Sequence, residues 1–281
     1  MEKLDIAFFN NKIISAADAA IPILDQSVQY GWGLFETIKV DKGVPIMLEE
    51  HLHRIFTSAS ALKIENSISK AELTGNVYKF LEGIGRDKFV LKIVMAKGVN
   101  RTPNIFFTCR ETGYSEIDYV KGFTGKITDI KRNESSPLVY MKTLNYLENI
   151  MAKQEARERG YDEAIFLNSK GFLSEGSLSN VFFIRDLKIY TPKLQCGLLP
   201  GIVRDCLIKN VIPGMGLELY EGEYVPNHLF DADEAFLTNS IMEIMPLVKI
   251  NEVVIGKGSR GKITDMLSKE YEKFIYKKHV G

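Results

Sequence analysis

The first third of the chain alternates between apolar patterns typical of helices and patterns typical of strands. Apolar residues at helical spacing predict one amphipathic helix from about Glu49 to Ala61 and a second helix from roughly Lys70 to Ile84. Short apolar runs bounded by turn residues predict strands, and this alternation indicates an α/β domain. The predicted strands are Ile6–Phe9, Lys12–Ile14, Leu34–Val40, Ile46–Leu48, Phe89–Ala96 and Ile105–Arg110.

The second half combines helices with a strand hairpin. A helix is predicted from about Thr143 to Arg159, with Gly160 as its stop residue, and the turn Asn168–Gly171 follows the next strand. The remaining predicted elements are strands near Gly122–Ile130 and Ala164–Leu167, returning strands within Phe172–Ile184, a strand ending at Tyr190, a helix from about Gly201, the strand Glu234–Leu237 and a terminal amphipathic helix.

A polar segment containing Gly and Ser, Glu111–Asp118, is the best candidate for a domain boundary. The expected fold class is therefore α/β (α+β) in two domains. A smaller N-terminal α/β domain would cover residues 1–112, and a linker would span about 113–118. A larger C-terminal mixed β domain with helices would cover 119–281 and would carry Lys142.

Composition narrows the class of protein without defining a function. The 281 residues are 45% hydrophobic and 26% charged, as in an ordinary soluble globular protein. The formal net charge of zero gives no reason to expect a nucleic acid or another polyanion as partner. The N-terminal residues lack the pattern of a signal peptide, and no apolar run approaches the roughly 20 residues of a membrane helix. A cytoplasmic location is the simplest expectation.

Cysteine and histidine do not form a recognisable metal site or disulfide framework. The cysteines are odd in number and show no CxxC spacing, and the histidines form no HExxH motif or tight ligand set. No metal is therefore expected. These residues are Cys109, Cys196, Cys206, His51, His53, His228 and His279.

Lys142 and Glu175 suggest a particular chemistry. A lysine amine in an apolar setting loses its proton more easily and can condense with an aldehyde. Pyridoxal phosphate needs such a lysine, and it needs an acid on its pyridine nitrogen to remain an electron sink. Glu175 lies in a predicted strand that could fold back over the start of the helix after Lys142. Alone the pair is weak, because a lysine before a helix is more often solvated surface.

Two stretches of the sequence resemble phosphate-binding sites, and only the second is kept as a candidate. Gly256–Gly261 matches GxGxxG, but the chain ends too soon for a βαβ unit, and Ile263 replaces the Ser/Thr of a P-loop. We therefore interpret it as a loop before the last helix. In contrast, Pro200-Gly201 precedes a helix whose first amides, at Ile202 and Val203, could bind an anion. An ordinary helix start is an equally good local interpretation, although Arg54 could hold a phosphate by two bonds.

The whole chain from Tyr30 to about Pro246 resembles the class IV, or fold type IV, pyridoxal-phosphate enzymes. This family includes branched-chain aminotransferases, D-amino-acid aminotransferases and 4-amino-4-deoxychorismate lyases. The resemblance is closest to the lyases. Its motifs, in the family's order, are YGWGLFET, EEHLHRI, KTLNYLENI, SEGSLSNVFF, LLPGIVRD and FLTNSIMEIMP.

The resemblance implies a cofactor, pyridoxal 5′-phosphate, and a role for each matching residue. It implies that Lys142 forms the Schiff base, that Glu175 faces the pyridine nitrogen and that Tyr146 contacts the phenolic oxygen. Many relatives carry Thr where this chain has Val203, so a hydroxyl contact would be lost while the amide contact survives. The family usually works as a homodimer with the cofactor between its two domains. The implied phosphate cup is Arg54, the amides of Ile202 and Val203, and Ser240, with Ser177 and Asn180 beside the ring.

The reaction depends on residues near the substrate. Thr37 matches the position where lyases carry a threonine thought to assist proton transfer, whereas branched-chain aminotransferases tend to have glycine. Thr37 is also an ordinary strand residue. Arg101 and Tyr30 are candidate substrate residues. A solvated loop is the alternative for Arg101, and packing in the core is the alternative for Tyr30.

The favoured function is an aminodeoxychorismate lyase, which would form 4-aminobenzoate and pyruvate from 4-amino-4-deoxychorismate for folate synthesis. The alternative is an aminotransferase of branched-chain or D-amino acids that uses 2-oxoglutarate. A binding protein that kept the fold without the chemistry is a third possibility, against which the pair Lys142 and Glu175 argues.

Overall fold

The computed structural model describes residues 6–65, 68–99 and 102–279. The chain forms two compact units. The first contains the described residues up to Gly113 together with Met141–Asn145, and the second contains Tyr114–Tyr140 and the chain from Tyr146 onwards. Lys142 therefore belongs to the first unit, whereas the sequence had placed it in the C-terminal domain. The reason is that residues 142–144 pair with a strand of the first unit.

The first unit is an antiparallel sheet with helices on one face. Its strands lie in the order β2-β1-β6-β5-β3-β4. Apolar residues of α2 and α3 pack on this sheet and form the hydrophobic core. The elements are β1 (Ile6–Phe9), β2 (Lys12–Ser15), α1 (Gln26–Tyr30), β3 (Gly33–Asp41), β4 (Val44–Pro45), α2 (Leu48–Ala61), α3 (Lys70–Ile84), β5 (Phe89–Val99) and β6 (Thr102–Arg110).

One predicted strand of the first unit is wrong, and one predicted loop is shorter. Ile46–Leu48 is not a strand, because Met47 adopts a left-handed conformation (φ 55°) and α2 begins at Leu48. The loop implied between the predicted strands Phe89–Ala96 and Ile105–Arg110 is shorter than expected, since β5 extends to Val99 and β6 begins at Thr102. Arg101 lies outside the described residues.

The second unit contains a nine-stranded mixed sheet in the order β12-β11-β10-β13-β14-β7-β8-β9, with β15 paired to β14. The pairs β14–β7, β7–β8 and β11–β12 are parallel. Its strands are β7 (Phe123–Arg132), β8 (Glu163–Asn168), β9 (Leu173–Gly176), β10 (Asn180–Arg185), β11 (Lys188–Pro192), β12 (Leu219–Gly222), β13 (Glu234–Asn239), β14 (Glu243–Ile250) and β15 (Val253–Val254).

The helices of the second unit pack on this sheet. One of them is interrupted, because α6 continues through the π-helical turn Leu207–Val211 into α7. No helix in the described part of the chain is both long enough and apolar enough to cross a membrane. The helices are α4 (Glu116–Lys121), α5 (Leu147–Glu158), α6 (Ile202–Cys206), α7 (Ile212–Gly214), α8 (Pro226–Phe230) and α9 (Lys262–His279).

The predicted linker of about 113–118 overlaps helix α4. Ser115 and Asp118 form a capping box. The Ser115 side chain accepts a hydrogen bond from the backbone amide of Asp118, and the Asp118 side chain accepts one from the backbone amide of Ser115. The polar composition that suggested a linker therefore reflects helix capping.

Helix α5 directs its polar side chains inward, which the pattern of apolar residues did not predict. Asn149 and Lys153 are buried, while Leu147, Ile150 and Met151 are 70%, 48% and 55% exposed. Buried hydrogen bonds explain the inversion, because Asn149 donates to the carbonyl of Ser177 (2.7 Å) and Lys153 donates to the carbonyl of Asp162.

The stretch Gly256–Gly261 is a loop before α9, as predicted. The first amides of α9 donate to the Glu234 carboxylate, with distances of 3.0 Å from Ile263 and 2.8 Å from Thr264. A Cβ on Gly261 would lie 1.9 Å from Cδ of Glu234. Because a protein carboxylate occupies this helix end, it is not available to a phosphate.

Candidate active site

Lys142 is held at the edge of the first unit's sheet by backbone pairing. The Phe35 amide donates to the Lys142 carbonyl (2.8 Å), and the Leu144 amide donates to the Gly33 carbonyl (2.9 Å). Together with the bridge between Leu34 and Thr143, this register places Lys142 opposite Phe35. Opposite residues share a face, and the Lys142 amine lies 4.3 Å from the centre of the Phe35 ring.

Thr37 and Lys92 lie on the same face as Lys142. Thr37 is two residues beyond Phe35 in β3, and its partner across the β3–β5 ladder is Lys92. The Lys92 amine lies 4.7 Å from the same Phe35 ring centre. Burial lowers the pKa of Lys92. The sequence analysis singled out Thr37 but missed Lys92, which only the strand register brings to this face.

The opposite face of β3 carries a buried acid, Glu36, that holds Arg54 and His51 of helix α2. The guanidinium of Arg54 donates to both carboxylate oxygens of Glu36, through Nε and Nη2, each at 2.7 Å. Nδ1 of His51 lies 2.6 Å from Glu36 Oε2. Arg54 was predicted to bind phosphate, and the bidentate pair fixes the plane of its guanidinium.

Burial and charge determine the protonation of this cluster. Burial acts to raise the pKa of Glu36, but the charge of Arg54 and the hydrogen bonds of His51 and Arg54 outweigh it and lower the pKa to about 2. Burial lowers the pKa of His51 in spite of Glu36. His51 is therefore neutral and donates from Nδ1, and its buried Nε2 has no partner among the described residues. The sequence analysis gave His51 no role beyond the absence of a metal motif, and its burial at 1% exposure places it in the interior of the first unit.

Glu175 is buried in β9, where a cation and a backbone amide bind its carboxylate. Nη2 of Arg132, at the end of β7, lies 3.1 Å from Oε1, and the Leu199 amide donates to Oε2 (2.9 Å). The predicted partner of the ring nitrogen is thus a fixed acid held by a permanent cation. The sequence analysis did not single out Arg132, which is the last residue of β7 and lies outside the six motifs.

Leu199 links Glu175 to the start of helix α6. Its carbonyl accepts a hydrogen bond from the Asn180 side chain (2.9 Å), and its amide donates to Glu175. Asn180 also packs against Gly201, the N-cap of α6, where a Cβ would lie 1.9 Å from Asn180 Oδ1. Gly201 has no side chain to cover the first amides of the helix, and those of Ile202 and Val203 were predicted to bind phosphate.

Ser240 lies at the turn after β13, a strand that contacts α6. The Asn239 carboxamide shapes this turn by accepting from the amides of Ile241 (2.9 Å) and Met242 (2.8 Å). Thr238, the partner of Asn180 across the β10–β13 ladder, is buried, and its hydroxyl lacks a partner among the described residues.

A site for an anionic group requires hydrogen-bond donors without partners. The buried Thr238 hydroxyl and the first amides of α6, which no side chain caps, are such donors, and Gly201 leaves those amides uncovered. The residues of the second unit therefore fit the phosphate end of pyridoxal phosphate.

Tyr146 and Ser177 lie beside each other in the second unit. The Tyr146 hydroxyl donates to the Ser177 carbonyl at 3.4 Å. The Ser177 hydroxyl donates to the buried Glu163 carboxylate, which also accepts from Ser179 (3.1 Å) and pairs with Lys153 (3.3 Å). This network fixes the turn after Glu175, so the side chain of Ser177 supports the loop.

Tyr30, a predicted substrate residue, is the last residue of α1 and is 70% exposed. Packing in the core, the alternative for Tyr30, is therefore wrong for the single chain.

Within the described residues, no group of three or more His, Cys, Asp or Glu side chains could hold a metal ion. The three cysteines are buried, and none of them forms a disulfide within the part of the chain that the structure describes.

Comparisons with known proteins agree on one family. A sequence model of amino-transferase class IV matches residues 33–250. The chain is 33% identical to the aminodeoxychorismate lyase of Bacillus subtilis (strain 168), over 95% of this chain and 94% of the relative. It is 32% identical to a probable branched-chain-amino-acid aminotransferase of Aquifex aeolicus (strain VF5), over 95% and 91% of the two chains.

Solved structures show the same architecture. The branched-chain amino acid aminotransferase of Escherichia coli superimposes with a TM-score of 0.91, covering 96% of this chain and 94% of that chain at 24% identity, and this match concerns the fold alone. The T.th. branched-chain amino acid aminotransferase, solved with pyridoxamine 5′-phosphate, gives a TM-score of 0.89 at 26% identity, with coverages of 96% and 93%. The predicted fold class is confirmed.

These matches show that the chain is a pyridoxal-phosphate-dependent enzyme. The chain belongs to the amino-transferase class IV family. The predicted family and cofactor are thereby confirmed, whereas the roles of the individual residues stay predictions.

We predict that Glu36→Gln makes stability depend less on pH. The pKa of Glu36 falls from its ordinary 4.5 to about 2 on folding, so its stabilisation is complete above pH 4.5 and is lost as the pH falls towards 2. Over 2.5 pH units this amounts to roughly 3 kcal/mol. In urea denaturation, the difference in free energy of unfolding between the wild type and Glu36→Gln should shrink by at least about 1 kcal/mol between pH 7 and pH 3.5.

The control for this measurement is Glu49→Gln, which changes an exposed acid in the first turn of α2, the helix that carries Arg54. Its difference from the wild type should stay small at both pH values. A Glu36→Gln difference that does not change with pH would contradict the assignment of Glu36 as an acid ionised by Arg54.

Proposed function

We propose that the chain is an aminodeoxychorismate lyase, which converts 4-amino-4-deoxychorismate to 4-aminobenzoate and pyruvate. The proposal rests mainly on one observation, the 33% identity over nearly the full length of both chains to the enzyme of that name in Bacillus subtilis. Thr37, on the face that carries Lys142, supports it. The setting that follows from this reaction is folate synthesis in the cytoplasm.

In this proposal, Lys142 holds the cofactor covalently through its amine, and Glu175 bonds to the ring nitrogen. When bound, the cofactor supplies an electron sink for negative charge at the reacting carbon of the substrate. The amides of Ile202 and Val203 bind the phosphate together with Ser240 and Arg54. Tyr146 contacts the phenolic oxygen, and Asn180 and Ser177 shape the wall beside the ring.

Two side chains of the Lys142 face suit the lyase. The Thr37 hydroxyl can hold or pass a proton next to the Lys142 amine, which is the general base once it is released. Lys92, across the ladder from Thr37, supplies a cation that suits a substrate carrying carboxylates. The lowered pKa of Lys92 is consistent with a cation that gains from an anionic partner. Tyr30 and Arg101 remain candidate substrate residues.

An amino-acid aminotransferase is the second candidate. It is supported by the 32% identity to the probable branched-chain enzyme of Aquifex aeolicus and by 30% identity, over 94% of both chains, to a putative branched-chain enzyme of Methanocaldococcus jannaschii (strain DSM 2661). Such an enzyme would transfer the amino group to 2-oxoglutarate and would not need the Thr37 hydroxyl.

The active form is proposed to be a homodimer. Helix α5 presents Leu147, Ile150 and Met151 to solvent in the single chain, and the segment before α1 presents Ile23 and Leu24, which are 78% and 69% exposed. Groups of large apolar side chains at the surface mark an interface more often than solitary ones do. A second copy of the chain would cover these residues.

The first prediction for this function concerns the covalent link. Purified protein should be yellow, and borohydride should fix the near-visible absorbance on Lys142, as located by peptide mass spectrometry. Lys142→Ala should abolish both the absorbance and the labelling, because the amine is lost.

Lys92→Ala is the matched control for the covalent link, since its amine lies over the same Phe35 ring. This variant should still be labelled on Lys142. A colourless protein that ignores added pyridoxal phosphate, or a label on Lys92, would refute the assignment.

The second prediction concerns the reaction. Supplied with aminodeoxychorismate and no keto acid, the enzyme should produce fluorescent 4-aminobenzoate. Thr37→Gly should reduce this turnover by about tenfold or more, while the cofactor dissociation constant stays within about twofold, because the hydroxyl acts on a proton and not on the cofactor's phosphate.

The aminotransferase would be favoured by the opposite result, which is no 4-aminobenzoate and rapid glutamate formation from leucine or D-alanine with 2-oxoglutarate. Equal losses of turnover and of cofactor binding in Thr37→Gly would assign this residue a structural role.

The third prediction concerns assembly. Light scattering should give twice the chain mass, and Leu24→Asp and Leu147→Asp should each shift the protein towards the monomer, because a buried charge opposes association. Leu187→Asp is the control, since Leu187 is 73% exposed in an isolated hairpin turn. A monomeric wild type would refute the dimer.

A further inference from the structure

The strand register places two further polar side chains, both from β6, on the sheet face that carries Lys142. Thr108 is the partner of Lys92 across the β5–β6 ladder, and Arg110 is the partner of Val90. Residues that are directly opposite each other, or two apart in one strand, share a face. Thr108 and Arg110 therefore lie on the same face as Lys92, and the sequence analysis singled out neither of them.

This face of the first unit's sheet consists of rows that differ in character. The row nearest Lys142 is apolar, and the two following rows contain cations and hydroxyl groups. Consecutive rows are about 6–7 Å apart, because a strand rises by about 3.3 Å per residue. A ring that lies on the apolar row would therefore reach the polar rows with a substituent at its far end. In order from Lys142, the rows are Phe35, Val94 and Phe106, then Thr37, Lys92 and Thr108, then Lys39, Val90 and Arg110.

Lys92 and Arg110 are cations without an acidic partner in the part of the chain that the structure describes. Nη1 of Arg110 donates to the Glu111 carbonyl (3.0 Å), which does not neutralise its charge. The Glu111 carboxylate pairs instead with Arg86 (3.3 Å). Because Lys92 is exposed and Arg110 is half-buried, a ligand can reach both of them.

The two cations are close enough to affect each other. Burial lowers the pKa of Lys92, and the charge of Arg110 lowers it further. A carboxylate bound to both would relieve this repulsion, because both attract it. Thr108 is the partner of Lys92 and precedes Arg110 by two residues, so its hydroxyl can donate to the same carboxylate.

Two other charged residues of β3 share this face and do not belong to the group. Lys39, in the row of Arg110, has an interaction of its own. Asp41 is the last residue of β3 and lies beyond the final pair of the β3–β5 ladder. The positive charge around Thr108 therefore comes from Lys92 and Arg110.

We propose that Thr108 and Arg110, together with Lys92, form a subsite for a substrate carboxylate that is remote from the reacting amine. This inference deepens the proposed function and rests on it, because the lyase substrate carries a carboxylate on its ring, opposite the amine. The amine faces Lys142, and the ring lies on the apolar row. Arg110 and Lys92 bind the carboxylate by charge, and Thr108 donates a hydrogen bond to it. The enzyme thereby prefers substrates that carry this carboxylate.

The test compares two ligands of the same shape on the enzyme with its cofactor bound. One is 4-aminobenzoate, the proposed product, and the other is 4-aminobenzamide, in which a neutral amide replaces the carboxylate. Calorimetry gives both dissociation constants, and their ratio measures the preference for the carboxylate. The wild type should bind 4-aminobenzoate at least about tenfold more tightly. Damage that weakens both ligands equally cancels in the ratio.

The variants of the subsite should reduce this preference by different amounts. Arg110→Met should reduce it by about fivefold or more, because one of the two cations is lost. Thr108→Val keeps the shape of the side chain and should reduce it by about twofold to threefold, because one hydrogen bond is lost. Arg110→Lys should lie between Arg110→Met and the wild type, since the charge remains and the planar guanidinium does not.

Arg86→Met is the matched control, because Arg86 is an arginine whose partner, Glu111, directly follows β6. It should leave the ratio unchanged. A ratio in Arg110→Met equal to that of the wild type would overturn the inference. An equal fall in Arg110→Met and Arg86→Met would also overturn it, because the effect would then be one of general charge.

The subsite and the proposed function can fail separately. A wild type that forms 4-aminobenzoate from aminodeoxychorismate, but binds it no more tightly than the amide, would overturn the subsite and leave the lyase in place. A wild type without lyase activity whose preference still falls in Arg110→Met would refute the lyase and support the subsite. A wild type that binds neither ligand would overturn the subsite.

Discussion

The structure depends on buried carboxylates that are each held by a fixed positive or polar partner. Glu175 is placed between the guanidinium of Arg132 and the amide of Leu199. Leu199 in turn receives Asn180, and Asn180 packs on Gly201 at the start of α6. One acid thus fixes the loop from which the helix start extends. Because a buried charge without partners is expensive, this chain of contacts leaves the segment few alternative conformations.

The first unit also contains a buried carboxylate with fixed partners, which is Glu36 in strand β3. Glu36 holds Arg54 by two bonds on the helix-covered face of β3. The other face of β3 carries Phe35 and Thr37, and the pairing of residues 142–144 with the strand edge puts Lys142 there. The twofold alternation of a strand therefore separates the groups that hold the helix from the groups proposed to do chemistry.

Sequence reasoning succeeded where the signal lies within one segment, or where many motifs occur in a characteristic order. The helix predicted from Lys70 to Ile84 agrees with α3, because its apolar spacing is a local signal and the preceding residue, Ser69, caps its first turn. The family was identified from six motifs in order, and the matched model confirms it. The wrong strand at Ile46–Leu48 arose because the left-handed Met47 is not visible in an apolar pattern.

The contacts that could not be predicted from the sequence depend on pairing between strands that are far apart in the chain. Lys92 and Thr37 become neighbours through the register of β3 and β5, and Arg132 meets Glu175 through the order of β7, β8 and β9. Neither pair has a characteristic spacing. The buried face of α5 could not be predicted for a related reason, since Asn149 and Lys153 are buried by hydrogen bonds to distant carbonyls.

The central proposal is that Glu175 bonds to a protonated ring nitrogen of the cofactor that Lys142 binds covalently. The most direct test is the nitrogen-15 chemical shift of ring-labelled pyridoxal phosphate bound to the wild type and to Glu175→Gln. The account predicts the shift of a protonated pyridine in the wild type and of an unprotonated one in Glu175→Gln. An unprotonated ring in the wild type, or the same shift in both proteins, would contradict it.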